Sequence, residues 1–229
     1  MSERSIDLNA DVGEGLDGVD SALLDLVTSA SIACGGHAGD LESMSASCRS
    51  AAERGIRIGA HPSYPDPENF GRVTMTMSPE GLREEVYRQA QDLIAVAAGQ
   101  LATVSYVKPH GALYNDIRRI HEAANAVFGA ALDLKLPVML LPEVRFPPSI
   151  TIITEGFIDR GYMPDGSLIP RSESEALITE PQRAAQQALS LAGGVESLCV
   201  HSDTPNAPEL MAAARSALID AGYEITAGT

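Results

Sequence analysis

Seven short apolar runs, each followed by a longer helical or loop segment, constrain this chain more than any other feature. They read "SIDLNA" (5–10), "SIACG" (31–35), "IRIGA" (56–60), "TVSYV" (103–107), "PVMLL" (137–141), "ITIITEG" (150–156) and "SLCVH" (197–201). Runs of this length suit strands, and near-continuous apolarity suits strands buried on both faces. Between them, Leu41, Met44, Cys48 and Ala51 recur at helical steps, as do Leu82, Val86, Ala90, Leu93 and Ala97. Alternation of this kind predicts parallel strands with helices packed outside.

Local signals support the helices. Ser78-Pro79-Glu80 reads as an N-cap, a first-turn proline and an acid beside the positive end of the helix. Asn206, with Glu209 three residues on, reads as a capping box before "LMAAARSALI". The stretch "PEVRFPPS" holds three prolines and predicts a loop where a helix would otherwise return the chain. No linker divides the sequence, so residues 1–229 are expected to form one domain.

The polar residues fall where such a sheet builds its sites. Strand one runs into Asn9, Asp11 and Glu14, and strand two into His37 and Asp40. His61 ends the third, Lys108 and His110 the fourth, and His201 with Asp203 the last. Four of the five histidines thus sit at carboxyl ends of strands, and the fifth, His121, lies on a predicted helix. In parallel α/β folds that edge carries the chemistry. Each residue has a plainer reading: Asp11 or Asp40 as a helix cap, Lys108 in a surface pair, Cys199 as a small core residue. Their joint placement favours a site.

"GEGLDG" (13–18) matches the dinucleotide pattern G-x-G-x-x-G, but Asn9, Asp11, Glu14 and Asp17 would set carboxylates against a pyrophosphate. The glycines are better explained by a tight loop beside a site. With 31 acids against 16 bases, the net charge of −15 disfavours nucleic acid and anionic membranes as partners. No apolar run approaches the ~20 residues of a membrane span. Three widely spaced cysteines suggest no disulfide framework, and the opening "MSERSIDLNADVG" has no signal-peptide character, so a cytoplasmic location is expected.

"DLNADVGEG", "IACGGHAGD", "GAHPSYPDPENFGR", "VKPHGALYN" and "DRGYMPDGSLIPRS" resemble, in that order, the motifs of the LamB/YcsF family. The resemblance covers residues 6–176 and continues through "LCVHSDTPNA". It implies a (β/α) barrel, here seven-stranded, related to the glycoside hydrolase/deacetylase superfamily. It also implies one component of an ATP-hydrolysing 5-oxoprolinase, opening the lactam of 5-oxoproline to glutamate with subunits B and C. ATP is then a co-substrate, and a homo-oligomer is compatible with the pattern.

On that reading Lys108, Arg72, Arg160 and Arg171 would stabilise phosphate or carboxylate oxygens, with Asn9 and Glu14 joining the binding set. Asp11, His37, His61 and His110 would activate water, either as bases or by holding Mg, Mn or Zn. The chain also departs from the family pattern. The connections around "PEVRFPPS" and "SLAGGVES" are short, Gly36 replaces a frequent phenylalanine, and the usual "HGD" reads His201-Ser202-Asp203. A stand-alone metal-dependent, deacetylase-like amidohydrolase and a non-catalytic binding subunit remain alternatives.

Overall fold

A closed ring of parallel strands lies at the centre of the computed structural model, which describes residues 4–142 and 144–228. β1 (Arg4–Val12) pairs with β2 (Ser29–Ala33) on one side and β7 (Ser197–His201) on the other. β3 (Arg57–His61), β4 (Val104–Val107), β5 (Val138–Leu140) and β6 (Ile152–Phe157) complete the ring in chain order. The seven expected strands are all present. An eighth, β8 (Tyr223–Ile225), pairs with Arg4–Ile6 beside the ring and was not expected. Its three residues are only partly buried or exposed, so they leave no apolar run to read.

The helices α1 (Asp17–Leu24), α2 (Leu41–Glu53), α3 (Pro79–Gly99), α4 (Gly111–Asp116), α5 (His121–Leu134), α6 (Pro181–Leu191) and α7 (Ala207–Asp220) pack around it. The Ser78 side chain accepts from the Gly81 N–H and Pro79 opens α3, as expected. The predicted apolar stripe of α3 is buried throughout, whereas Leu41 at the start of α2 is exposed. Asn206 is not the capping box foreseen. It adopts φ 64°, makes no side-chain cap, and donates its amide to the Thr179 carbonyl instead. Between β5 and β6 no helix forms among the described residues, in keeping with the prolines.

The strands are buried on both faces, but the inner face is polar. Ile6, Leu8, Ala10 and Val12 join the apolar layer under the helices, so strand alternation turns Asp7, Asn9 and Asp11 into the lumen. There Asp7 accepts from Ser29, Thr28 and Ser197, Asn9 donates to Ser197, and Ser31 bonds the Tyr106 hydroxyl. Among the described residues Tyr106, Met139 and Ile153 form a small apolar cluster apart from two larger ones. Gly59 makes room for it, because a Cβ there would run into the Tyr106 ring. Buried polar groups need partners, and this lumen supplies most of them internally. The polar column leads upward to the carboxyl ends of the strands.

Candidate active site at the carboxyl mouth of the barrel

Lys108, just past β4, is 1% exposed and sits at the top of the polar column. Its ammonium donates to Asp11 Oδ1 at 2.8 Å, Asn9 Oδ1 at 3.1 Å and Cys199 Sγ at 3.0 Å, and lies 3.1 Å from Glu155 Oε2. Burial alone would depress the lysine, but the carboxylates of Asp11 and Glu155 hold it well above its ordinary value. Burial likewise pushes the Cys199 thiol up, so that contact is between an ammonium and a neutral sulfur. Burial would also raise Asp11, yet His61 and Lys108 keep it ionised well below the usual carboxylate range.

Beside this pair, three imidazoles and a carboxylate converge. Donor atoms of Glu14, His37, His61 and His110 all lie within 4.8 Å of one another. Glu14 Oε1 is 2.9 Å from His37 Nε2, 3.4 Å from His110 Nδ1 and 3.9 Å from His61 Nε2. The loop after β1 delivers Glu14, and Gly13 beside it, at φ 78°, supplies the tight turn. Gly71 lies against the imidazoles, where a Cβ would press on His37 at 2.9 Å.

Backbone carbonyls fix two of the tautomers. His61 Nδ1 donates to the Lys108 carbonyl at 2.7 Å, and His110 Nε2 donates to the Phe70 carbonyl at 3.0 Å. That leaves His61 Nε2 and His110 Nδ1 facing each other at 3.0 Å. His37 stacks on His110 at 3.6 Å, and its Nδ1 is buried with no partner among the described residues. Burial drops His37 to about 3 and takes His110 well below its ordinary value, so both stay neutral. Burial, then Asp11, raises Glu14 to about 7. Ring nitrogens, one of them orphaned, and a carboxylate gathered in one buried place attract positive charge. The donor set fits a divalent ion that accepts nitrogen and oxygen ligands.

The sequence-derived set is therefore brought together, with one rearrangement. Asp11, expected as a metal ligand, stands next to the cluster: Oδ1 faces Lys108, and Oδ2 is 3.4 Å from His61 Nε2. Glu14, expected to bind substrate, takes the fourth place with the histidines. Asp11 caps no helix, and Lys108 pairs in the interior, so neither plainer reading holds. Asp40 does cap α2, accepting from the Ser43 N–H, and lies outside the site.

Above the cluster opens a cleft of about 660 Å³. Arg72, Arg160 and Arg171 line it, together with Arg118 and Arg119, in a chain that is strongly acidic overall. Asp203 holds Arg72 and Arg171 at the rim. Arg160 is buried and donates to the Ala176 and Ile169 carbonyls; burial, then Arg171, lowers it to about 10, so it stays cationic. Glu155 and Asp159 are the site residues that sequence reasoning missed. Their signal was present: Glu155 is the only acid in an apolar strand, and Asp159 follows that strand's end.

Fold and site together define a (β/α) barrel with a histidine–carboxylate centre under an arginine-lined cleft. The chain belongs to the LamB/YcsF family, whose model matches residues 6–229. A Streptomyces avermitilis protein named as the A subunit of 5-oxoprolinase is 44% identical, the match covering 97% of this chain and 99% of that one. The Neisseria meningitidis serogroup C protein of the same name is 39% identical, over 98% and 100%. The crystal structure of a lactam utilization protein from Thermus thermophilus superposes with TM-score 0.89 at 34% identity, covering 98% of this chain and 100% of that one. A mutant of BA3943, a CE4 family pseudoenzyme, shares the fold alone, with TM-score 0.59 at 14% identity over 99% and 66%. No described helix is long and apolar enough to cross a membrane.

Proposed function

We propose that this chain is the A subunit of an ATP-hydrolysing 5-oxoprolinase, a hydrolase that opens the cyclic amide of 5-oxo-L-proline to L-glutamate with subunits B and C. The observation that carries the reading is the juxtaposition of the imidazole–carboxylate cluster with arginines in one cleft, in a chain similar over nearly its whole length to proteins of that name. In this reading residues 1–229 work as one domain in the cytoplasm, and ATP is a co-substrate.

The arginines receive the substrate's carboxylate, since a guanidinium fork bonds two oxygens at once. The lactam oxygen then lies toward Lys108, whose fixed ammonium stabilises the negative charge that develops on it and on the phosphoryl group it receives. Asp11 stays ionised beside His61 and holds Lys108 in place. Glu14, His37, His61 and His110 would hold a divalent cation such as Zn, Mn or Mg, which would lower the pKa of a water bound there. Phosphorylation of the lactam oxygen by ATP makes a poor electrophile reactive.

The test is glutamate and ADP release by the chain alone and with subunits B and C. Little turnover alone and full turnover together is expected; full turnover by the single chain would overturn the assignment. Elemental analysis of His37→Ala, His61→Ala and His110→Ala variants checks the cation site, and metal content unchanged in all three rejects it.

A further inference from the structure

His201 and Asp159 form a second catalytic-type pair across the mouth from the histidine cluster, and no role has yet been given to either. Asp159 is 0% exposed, two residues beyond the end of β6. Its carboxylate accepts from His201 Nδ1 at 3.0 Å, from the His201 backbone N–H at 3.2 Å, and from the Thr204 hydroxyl. Burial would raise this acid, but His201 and Thr204 hold it below the ordinary range. An ionised acceptor fixes the proton on Nδ1 and leaves the lone pair on Nε2. The ring stacks on Phe157 at 4.9 Å and 15°, so its plane is set as well.

Nε2 has no protein partner among the described residues, and His201 lines the cleft with His61, Lys108 and Arg160. A buried carboxylate is costly to keep ionised. Here it aims one imidazole nitrogen at the space where substrate would lie. Holding the turn after β7 accounts for the bonds to the His201 N–H and Thr204, but not for the bond to the ring.

We propose that His201 is the proton shuttle of lactam opening, with Asp159 as its positioning residue; this rests on the reading of the chain as part of a 5-oxoprolinase. As the water oxygen bonds to the ring carbonyl carbon, Nε2 takes the water's proton and the ring becomes an imidazolium beside Asp159. As the C–N bond breaks, the same proton passes to the departing ring nitrogen. His201 returns to neutral; the acyl phosphate left at the former ring carbon is then hydrolysed by a second water to the carboxylate and inorganic phosphate, so ATP and water are the only co-reactants. Amide nitrogen leaves poorly without that proton, which is why a donor is needed on its side of the ring.

The experiment uses the reconstituted three-subunit complex with 5-oxoproline and ATP. His201→Gln should lower kcat about 100-fold or more, the usual scale for acid–base assistance. Its melting temperature and metal content should match wild type. Added imidazole should restore turnover to His201→Ala. Asp159→Asn, which keeps an acceptor for the turn but no longer fixes the tautomer, should lower kcat with KM within twofold. Loosening of the turn alone would instead raise KM, because Asp203 on that turn holds Arg72 and Arg171. A wild-type complex that releases no glutamate would refute the lactam reading and the shuttle with it. An active wild type beside a His201→Gln that keeps more than a third of its turnover, or an Asp159→Asn that moves only KM, would refute the dyad alone.

Discussion

Replacing Lys108 by Met removes the cation that touches both Asp11 and Glu155 while keeping most of the side chain's length. At an effective dielectric of about 20, contacts at 2.8 and 3.1 Å each correspond to roughly 5–6 kcal/mol of gross attraction. Most of that offsets the desolvation of three buried charges. The net loss on removing one partner of such a group is about 3–5 kcal/mol, because the remaining carboxylates stay buried without a counter-ion. For a chain of this size that lowers the melting temperature by roughly 6–20 °C.

Urea unfolding of chelator-treated protein at pH 7 measures the loss directly. The sign with pH follows from Asp11, whose carboxyl lies below its ordinary value in the wild type. A depressed acid contributes stability above its unfolded pKa and loses it as pH falls through the folded value. Without Lys108 that contribution is gone, so the gap between variant and wild type should hold from pH 7 to about 4 and narrow as pH drops further, toward the folded value of Asp11. Adding Asp11→Asn and Glu155→Gln to Lys108→Met should recover most of the stability, since a neutral cluster of the same shape carries no unpaired charge. A single variant that loses less than about 1 kcal/mol, or a triple variant no better than the single, would refute the reasoning.

Gly59→Ala drives a Cβ into the Tyr106 ring and should cost about 1–3 kcal/mol or more by denaturant melt, with Tyr106→Ala restoring part of it. Asp20 is raised to about 6, chiefly by burial, and its Oδ1 lacks a partner among the described residues. Its folded pKa exceeds the unfolded one, so the stability tied to its neutral form is complete below about pH 4 and lost as pH rises through 6. Asp20→Asn should therefore flatten the stability–pH curve across that window; an unchanged slope would show that Asp20 does not titrate there. Ser78→Ala removes the cap of α3 and should cost about 1 kcal/mol, read by thermal melt, with turnover of the complex untouched.

The fold was legible because its physics is local and repetitive. Strands such as β2 and β7 are apolar enough to read alone, and the residues between them carry helical periodicity and caps such as Ser78 and Asp40. The edge that carries the site was legible for the same reason, since parallel strands send every carboxyl end to one rim. β8 escaped because three half-exposed residues acquire their pairing from β1 and not from any pattern of their own.

What the sequence could not decide is which polar side chains share a counter-ion. Asp11 and Glu14 stand three positions apart at the end of the same strand, and nothing local tells a lysine's partner from an imidazole's. Closure of the barrel decides it, by carrying Lys108 across the lumen to Asp11 and Glu155 and leaving Glu14 to the histidines. The same holds for His201. Its place at a strand end was visible, but the carboxylate that orients it comes from the neighbouring strand 42 residues earlier in the chain. Sequence determined which groups reach the mouth, because strand ends are set by short-range pattern; tertiary structure alone decided their partners, because charge pairing depends on distances that only the closed ring of strands defines.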